Sequence, residues 1–185
     1  MALNADNVRV GLTGRIYMAP KGTAAPTDLT TAWAAEWRDL GYMSDDGVSL
    51  EYSTDVEDIN AWQSLSPVRR VLTGVDFTLG FTAIELKADT ITLYFPGSSL
   101  TTSTDVHTLT IPAAPDSSEF AFGLEWEDGT IVNRLVIPRG EVTERGAVTV
   151  GRSAAVGLEM TVSAYASSAP EIATWLSNDP AWATV

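Results

Sequence analysis

A mainly β, antiparallel fold with one or two short helices is predicted by three features of the sequence. Apolar and polar residues alternate with a period of two through most of the chain, the pattern of half-buried strands. Two Asp-Gly pairs, Asp46-Gly47 and Asp128-Gly129, lie between alternating segments and are typical of tight hairpins. Forty-five per cent of the 185 residues are apolar and six are tryptophan, so one domain over residues 1–185 can bury a core.

Nine segments of the chain alternate, and together they predict about eight strands. The segments are 8–19, 37–44, 48–52, 68–82 as one bulged strand or a pair, 106–111, 120–126, 131–137, 141–150 and 156–165. Connecting segments 21–31, 53–67 and 97–105 are rich in small or polar residues and are predicted to be loops. Long loops within compact domains usually have a function, which directs attention to 53–67.

Helical signals are few. Leu29, Trp33, Trp37 and Leu40 have spacings of four, four and three, which predicts a short helical turn before the second strand. Residues 86–95 are predicted to form a short helix that ends before Pro96-Gly97. The C-terminal segment 169–185 has too few periodic positions to classify.

Charge and composition exclude several classes of function. Eleven basic against 24 acidic residues give a net charge of -13, which would repel nucleic acid. The absence of cysteine rules out disulfides and thiolate sites and suits a reducing compartment. We expect neither a signal peptide nor a membrane span, because no segment approaches the required apolar length.

Motifs for catalysis, cofactors or metals are not found, so no catalytic, cofactor-binding or metal-binding residue is predicted. The only histidine, His107, lies in a strand-like context and is interpreted as a surface residue. The segment 151–155 departs from the serine nucleophile motif at its fifth position, which is alanine. Glu125 and Glu127 are interpreted as outward strand positions rather than a glycosidase pair.

One segment is strongly asymmetric in charge. Seven acidic and no basic residues lie between Asp39 and Asp58, and two arginines follow shortly after. Complementary contacts between copies of the chain and weak ion pairs within it are both consistent with this pattern. Apolar residues among the charges favour an interface, since tryptophan is a common anchor there. The predicted interface residues are Asp45, Asp46, Asp55, Val56, Glu57, Asp58, Ile59, Trp62, Arg69 and Arg70.

Three stretches of the sequence resemble a known protein family. They are residues 1–10 (MALNADNVRV), 37–47 (WRDLGYMSDDG) and 53–71, which contains STDVEDINAWQ and VRRV. These stretches are similar to the major tail protein of long-tailed, non-contractile bacteriophages, over residues 1–95 above all.

The resemblance implies a β-sandwich or barrel-like tail-tube fold with a flanking helix, in which six copies form a ring and rings stack into a tube. It also implies a long loop or hairpin arm, here residues 45–72, that reaches the neighbouring ring. The implied partners are other copies of the chain, the tape measure protein, the tail terminator and the distal tail protein. DNA would pass through without specific binding, and the protein would be made in the host cytoplasm and reside in the virion tail.

Two alternatives remain open from the sequence. A stand-alone β-sandwich that binds a receptor or a carbohydrate would share the strand pattern. A hydrolase with an acidic site would use Asp55, Glu57 and Asp58, although their spacing matches no known metal loop.

Overall fold

The computed structural model describes residues 3–115, 117–167 and 171–183. It confirms a mainly β, antiparallel, sandwich-like fold with a flanking helix. In chain order the elements are β1 Thr13–Pro20, β2 Arg38–Asp39, β3 Met43–Ile59, β4 Arg69–Ala83, α1 Ala88–Tyr94, β5 Ser99–Ser103, β6 Val106–Thr110, β7 Phe120–Asp128, β8 Ile131–Arg145, β9 Leu158–Ala164 and β10 Thr174–Ser177. Short 3-10 helices cover Ala5–Asn7 and Pro180–Trp182.

Eight of the strands form one open sheet, and β8 contributes to both halves of this sheet. The order is β2-β1-β7-β8-β9-β4-β3, with β10 also paired to β8. The first part of β8 lies between β7 and β10, and its last part pairs with β9. The edges of the sheet are β2 and β3, while β5 and β6 form a separate two-stranded sheet.

The core lies between the two halves of this sheet. Ile16, Phe122 and Leu124 come from the half that contains β1 and β7, and Leu79 and Val162 come from β4 and β9. All five are nearly inaccessible to solvent and belong to one cluster. Strands from distant parts of the chain therefore depend on one another for burial.

The helix α1 covers part of this core. Leu93 and Tyr94 are buried against the sheet, which explains why a helix with apolar residues at this spacing docks here. The first turn is capped by Thr90, whose hydroxyl oxygen accepts a hydrogen bond from the Lys87 amide at 3.0 Å. The predicted helix over residues 86–95 is confirmed, with α1 ending before Pro96.

The predictions around the second Asp-Gly pair are confirmed. β7 and β8 form a hairpin in which Asp128 pairs with Ile131, and Gly129 has the positive φ of 63° that a tight turn needs. The strand predicted over 106–111 is β6. The predicted bulged strand over 68–82 is β4, with an extra residue at Thr73.

The prediction of a hairpin turn at Asp46-Gly47 is wrong. Gly47 does have a positive φ of 76°, but it lies within β3. Between Met43 and Val48 four residues of β3 lie opposite a single residue of β4, Thr82. The Asp-Gly conformation thus forms a bulge, because Val48–Ile59 pairs with the much longer β4 instead of with residues 37–44.

Several predicted boundaries are also wrong. The first strand begins at Thr13 instead of residue 8, because its partner β7 ends at Asp128 and leaves little to pair with earlier residues. The loop predicted over 53–67 is shortened to a turn, since β3 continues to Ile59 and β4 begins at Arg69. The loop over 97–105 contains β5, whose β-branched threonines pair with β6.

Other elements differ as well. The helical turn expected before Trp37 is an irregular segment that ends in a single turn. Only Arg38–Asp39 of the strand predicted over 37–44 forms a separate strand, and the segment from residue 141 is the last part of β8. The unclassified tail contains β10 in its described part, residues 171–183. The described residues contain ten strands, against about eight predicted.

Candidate assembly interface

The largest exposed feature of the molecule is the hairpin formed by β3 and β4. β4 pairs with β9 only from Thr78 onward, so residues 69–77 pair with β3 alone. The outer part of the hairpin, residues 52–77, therefore extends beyond the rest of the sheet as a two-stranded ribbon. Such a ribbon is marginally stable by itself in water, so its outer part is a candidate for ordering by a partner.

One face of the hairpin is apolar along most of its length. At the base, Leu50 pairs with Leu79, and both pack in the core cluster. Further out on the same face, Tyr52 pairs with Phe77 and Val56 pairs with Leu72. Tyr52, Val56 and Leu72 are exposed, which makes the apolar face a continuation of the core that no described residue covers.

The opposite face of the hairpin is acidic. Glu51, Asp55 and Glu57 alternate with the apolar residues of β3, and Asp76 lies across from Ser53. Within the described residues none of these four carboxylates has an ion-pair partner. The hairpin thus presents an apolar surface on one side and uncompensated negative charge on the other.

The tip of the hairpin, residues 60–68, carries exposed apolar side chains. Trp62 is 99% exposed and Leu65 is fully exposed. The turn is held by local hydrogen bonds, including one from the Val68 amide to the Ile59 carbonyl at 2.9 Å. Fully exposed tryptophan and leucine side chains on a hydrogen-bonded turn are typical of residues that contact another molecule.

One arginine beside the tip forms an ion pair. Arg70 donates two hydrogen bonds to the carboxylate of Asp58, at 2.7 and 3.2 Å. These hydrogen bonds lower the pKa of Asp58 below its usual value, and the guanidinium of Arg70 compensates the charge of this carboxylate. Arg69, across from Ile59 on the acidic face, has no ion pair with any described residue.

The residues predicted as an interface are all exposed, but they occupy different parts of the hairpin. Asp45 and Asp46 lie in the bulge at its base, and Trp62 lies at its tip. The apolar face carries Val56 with the ion-paired Asp58 and Arg70, and the acidic face carries Asp55, Glu57, Ile59 and Arg69. The structure brings Asp58 and Arg70 into contact and separates Asp58 from Asp55 and Glu57, which point to the other face.

A buried ion pair in the body was missed by the sequence analysis. Arg134 of β8 is 3% exposed, and its Nη2 lies 2.5 Å from Oε2 of Glu125 on β7. Its Nη1 donates to the carbonyls of Asp28 and Thr31 at 2.6 and 3.0 Å. The guanidinium also lies over the ring of Trp33, whose Nε1 donates to Glu125.

This ion pair fixes the segment 28–37 on the outer face of β1, β7 and β8. Gly123 makes room for Trp33, because a Cβ there would lie 2.3 Å from the indole ring. Asp28 accepts hydrogen bonds from the amides and hydroxyls of Thr30 and Thr31, which lower its pKa. The sequence feature that could have predicted this ion pair is an arginine and a glutamate at facing positions of the Asp128-Gly129 hairpin.

The two chain termini are joined by a second ion pair that sequence analysis did not predict. Arg9 donates to both carboxylate oxygens of Asp179, at 2.6 and 2.7 Å. These hydrogen bonds, together with one from the Ala181 amide, lower the pKa of Asp179. Nearby, Trp175 packs between Trp126 and Trp182 with ring centroids 4.9 and 5.1 Å apart.

Sites of other kinds are sparse in the described part of the chain. No group of three or more histidine or carboxylate side chains converges there in a way that could hold a metal ion. None of its helices has the length and apolar content needed to cross a membrane. His107 is exposed and lies 2.9 Å from the hydroxyl of Thr102 across the β5–β6 pair, as expected of a surface residue.

Comparison with known proteins supplies the family. No curated protein matches the chain. A family model described as "Phage tail tube protein" matches residues 1–185, the entire chain. This match agrees with the mainly β fold and with the resemblance of residues 1–95. The chain therefore belongs to the phage tail tube proteins, a family of structural components of the virion tail.

Proposed function

We propose that this protein polymerises as stacked rings, of six copies each, into the tail tube of a long-tailed, non-contractile phage. The observation that carries this proposal is the β3–β4 hairpin, whose outer part has an exposed apolar face continuous with the core. Such a surface is stable in water when a second molecule covers it, and a tube supplies one copy for every hairpin. On this proposal residues 1–185 form one tail-tube domain, and the arm of residues 45–72 makes the contact between rings.

The sheet edges support ring formation. β3 pairs on one side only, and residues Thr13–Ile16 of β1 pair with β7 but with no described strand on their other side. Open edges are usually protected in monomeric proteins, whereas a subunit can use them to pair with its neighbours. A head-to-tail contact that repeats around an axis closes into a ring, and a second contact along the axis extends the stack.

The net charge of -13 supports passage of the genome without specific binding. Duplex DNA is bound mainly through cations that replace its counterions, and a tube lined by carboxylates offers none. The exposed carboxylates of the acidic face are available for such a lining. We expect assembled tubes to leave the mobility of linear duplex DNA in a native gel unchanged.

The proposal includes partners and location from the family resemblance. The tape measure protein, the tail terminator and the distal tail protein would contact the tube at its lumen or its ends. Synthesis in the host bacterial cytoplasm would precede incorporation into the virion tail. The role is structural and non-enzymatic, and no cofactor is required.

Electron microscopy of the concentrated protein, with and without tube fragments as seeds, tests this proposal. Rings or tubes are expected, and top views give the number of copies per ring. Discrete small particles under every seeded condition would contradict the tube and favour a stand-alone binding module.

A triple variant separates assembly from hydrolysis. Replacing Asp55, Glu57 and Asp58 with Asn, Gln and Asn should impair polymerisation while the monomer still folds. An acidic hydrolase would instead lose an activity that the wild-type protein shows. The division of these three carboxylates between two faces of the hairpin favours the first outcome.

A further inference from the structure

A cleft of about 600 Å³ lies between the N-terminal half of β1 and the start of β3. It is lined by residues 11–16, 41–45 and 47–48 and by Asp39, Glu85 and Lys87. β2 joins the two sides at one end through its pairing with Tyr17 and Met18, and no described strand pairs with residues 13–16 of β1 on this side. The cleft is therefore a place where the open sheet lacks a covering segment.

The lining of the cleft includes exposed apolar side chains. Leu12 and Tyr42 are well exposed, and Met43 and Val48 are half-buried. Gly47 in the bulge has no atom within 4 Å of the position a Cβ would take, so the cleft is open beside it. An apolar side chain of tryptophan or leucine size would bury surface on both itself and these residues.

The charge at the cleft is unbalanced at one place. Asp39 is paired with Arg15 at 3.1 Å, and Glu85 lies 3.9 Å from Lys87. Asp45, in contrast, has no ion-pair partner among the described residues, and Asp46 beside it has none either. The bulge thus offers two uncompensated carboxylates beside a cleft whose lining combines polar and apolar side chains.

The hairpin tip has the complementary set of groups. It carries Trp62 and Leu65, both fully exposed, and it is followed by Arg69, which has no ion pair with any described residue. Apolar anchors beside one positive charge match the exposed apolar side chains of the cleft, Leu12 and Tyr42, beside two negative charges. No other part of the described chain combines two fully exposed large apolar side chains with an unpaired arginine so closely in sequence.

The length of β3 prevents the tip from entering the cleft of its own chain. Val48 lies at the cleft and Ile59 at the start of the tip, eleven residues apart on one extended strand. At a rise of about 3.3 Å per residue they are about 36 Å apart. The cleft and the tip therefore lie at opposite ends of one extended strand. Only a second copy of the chain can place a tip in this cleft.

We propose that the cleft between β1 and β3 receives the hairpin tip of a second copy of this chain, with Trp62 and Leu65 against Leu12 and Tyr42 and with Arg69 near Asp45. The contact uses different surfaces on the two copies, so it is a head-to-tail contact, and directed along the tube axis it extends a stack. This inference rests on the proposed tube and assigns its axial contact to particular residues. The length of the outer hairpin would then set the spacing of the rings.

Disulfide cross-linking tests the contact directly, because the chain has no native cysteine. The double variant Tyr42→Cys with Leu65→Cys is polymerised and oxidised, then separated on a non-reducing denaturing gel. A ladder of covalent dimers and higher oligomers is expected, and each single variant should give at most a dimer between like residues. The matched control pairs Leu65→Cys with Leu100→Cys, since Leu100 is an exposed leucine on β5, outside the cleft.

Charge reversal gives an independent readout. Arg69→Asp and Asp45→Arg should each raise the protein concentration needed for polymerisation, by about thirtyfold for a contact of hot-spot strength. Combining them should restore most of the loss, because the two charges would again be opposite.

The outcomes distinguish this inference from the proposed function. Normal tubes without a ladder from the Tyr42 pair, or with a ladder from the Leu100 pair instead, would overturn the cleft and leave the tube intact. Absence of rescue in the charge-reversed double variant would also overturn it. Wild-type protein that stays monomeric with seeds would contradict both.

Discussion

The base and the outer part of the β3–β4 hairpin have the same sequence pattern in opposite environments. Leu50 and Leu79 at the base pair with each other and pack in the core, where Leu79 is almost completely buried. Val56 and Leu72, further out on the same face, pair in the same way and are about half exposed. The two regions differ in what packs against their apolar face, since β9 and the other half of the sheet contact only the base.

This difference shows that alternation with a period of two identifies the apolar face of a strand but does not determine whether that face is buried. In the base the face is covered by the same chain, and its burial stabilises the fold. In the outer part the cover must come from another molecule, so the same residues would stabilise the assembly. Five predictions test this division of roles.

The largest effect is expected from truncating the apolar face at the base. Phe81 is 4% exposed and pairs with Val48, so Phe81→Ala should lower the free energy of unfolding by about 3–5 kcal/mol. Tyr52, on the same face but 65% exposed, is the matched position in the outer part. Tyr52→Ala should change monomer stability by at most about 1 kcal/mol and should weaken polymerisation. Urea unfolding and sedimentation measure the two effects, and equal destabilisation by both variants would contradict the comparison.

The second largest effect is expected at the buried ion pair of the body. Glu125→Gln leaves the buried Arg134 without its carboxylate and should cost about 3 kcal/mol in unfolding free energy. Glu127→Gln, two residues along the same face but exposed, is the matched control and should be nearly neutral. Asp58→Asn in the outer hairpin breaks the exposed pair with Arg70 and should leave the thermal midpoint of the monomer unchanged. Thermal unfolding of the three variants checks this order.

Hydrogen exchange distinguishes the two regions without mutation. We expect the predicted arm, residues 45–72, to be mobile in the monomer and to order on assembly. The structure sharpens this to residues 52–77, because a two-stranded ribbon opens locally at little cost whereas residues 78–83 pair on both sides. Amide exchange of monomer and tube measured by mass spectrometry checks it. Slow exchange throughout residues 52–77 of the monomer would contradict it.

The smallest effect concerns acid and the paired chain termini. The pKa of Asp179 is lowered by hydrogen bonds from Arg9, so its stabilising contribution is complete above the ordinary aspartate pKa of about 4. That contribution is lost as the pH falls from about 4 through the lowered value. Fluorescence of Trp175 and Trp182, which pack together nearby, should report a local change in this range. Asp179→Asn should lack this step, and an identical titration in the variant would assign the change to another group.

A second acidic transition is expected in the body. Hydrogen bonds from Arg139 and Lys21 lower the pKa of Glu119 to about 2. Its contribution is therefore present above the ordinary glutamate pKa and is lost only as the pH approaches 2. Glu119→Gln should remove this contribution at neutral pH already, while the hairpin is unaffected.

The fold class and the candidate interface could be predicted from the sequence alone. Alternation predicted the β7–β8 hairpin, and it left residues 68–82 open as one bulged strand, which is β4, or as a pair. The charged context of apolar residues such as Val56 and Trp62 predicted that a partner could contact them. These features depend on neighbours in the chain or on solvent exposure of polar segments, which local pattern reflects. The family followed from residues 1–95 and extends to the whole chain.

Which alternating segments pair with one another became known from the three-dimensional structure. Asp46-Gly47 forms a bulge instead of a turn because β3 pairs with β4, which is longer than the segment 37–44. Pairing over many residues therefore outweighs the local turn preference. Residues 8–12 lie outside β1 because β7 ends at Asp128, one residue beyond the partner of Thr13. The Arg134–Glu125 pair, the cleft and the two faces of the hairpin arise from contacts between distant segments. Local propensity does not predict these contacts, because their contribution to stability depends on which distant residues pack against them.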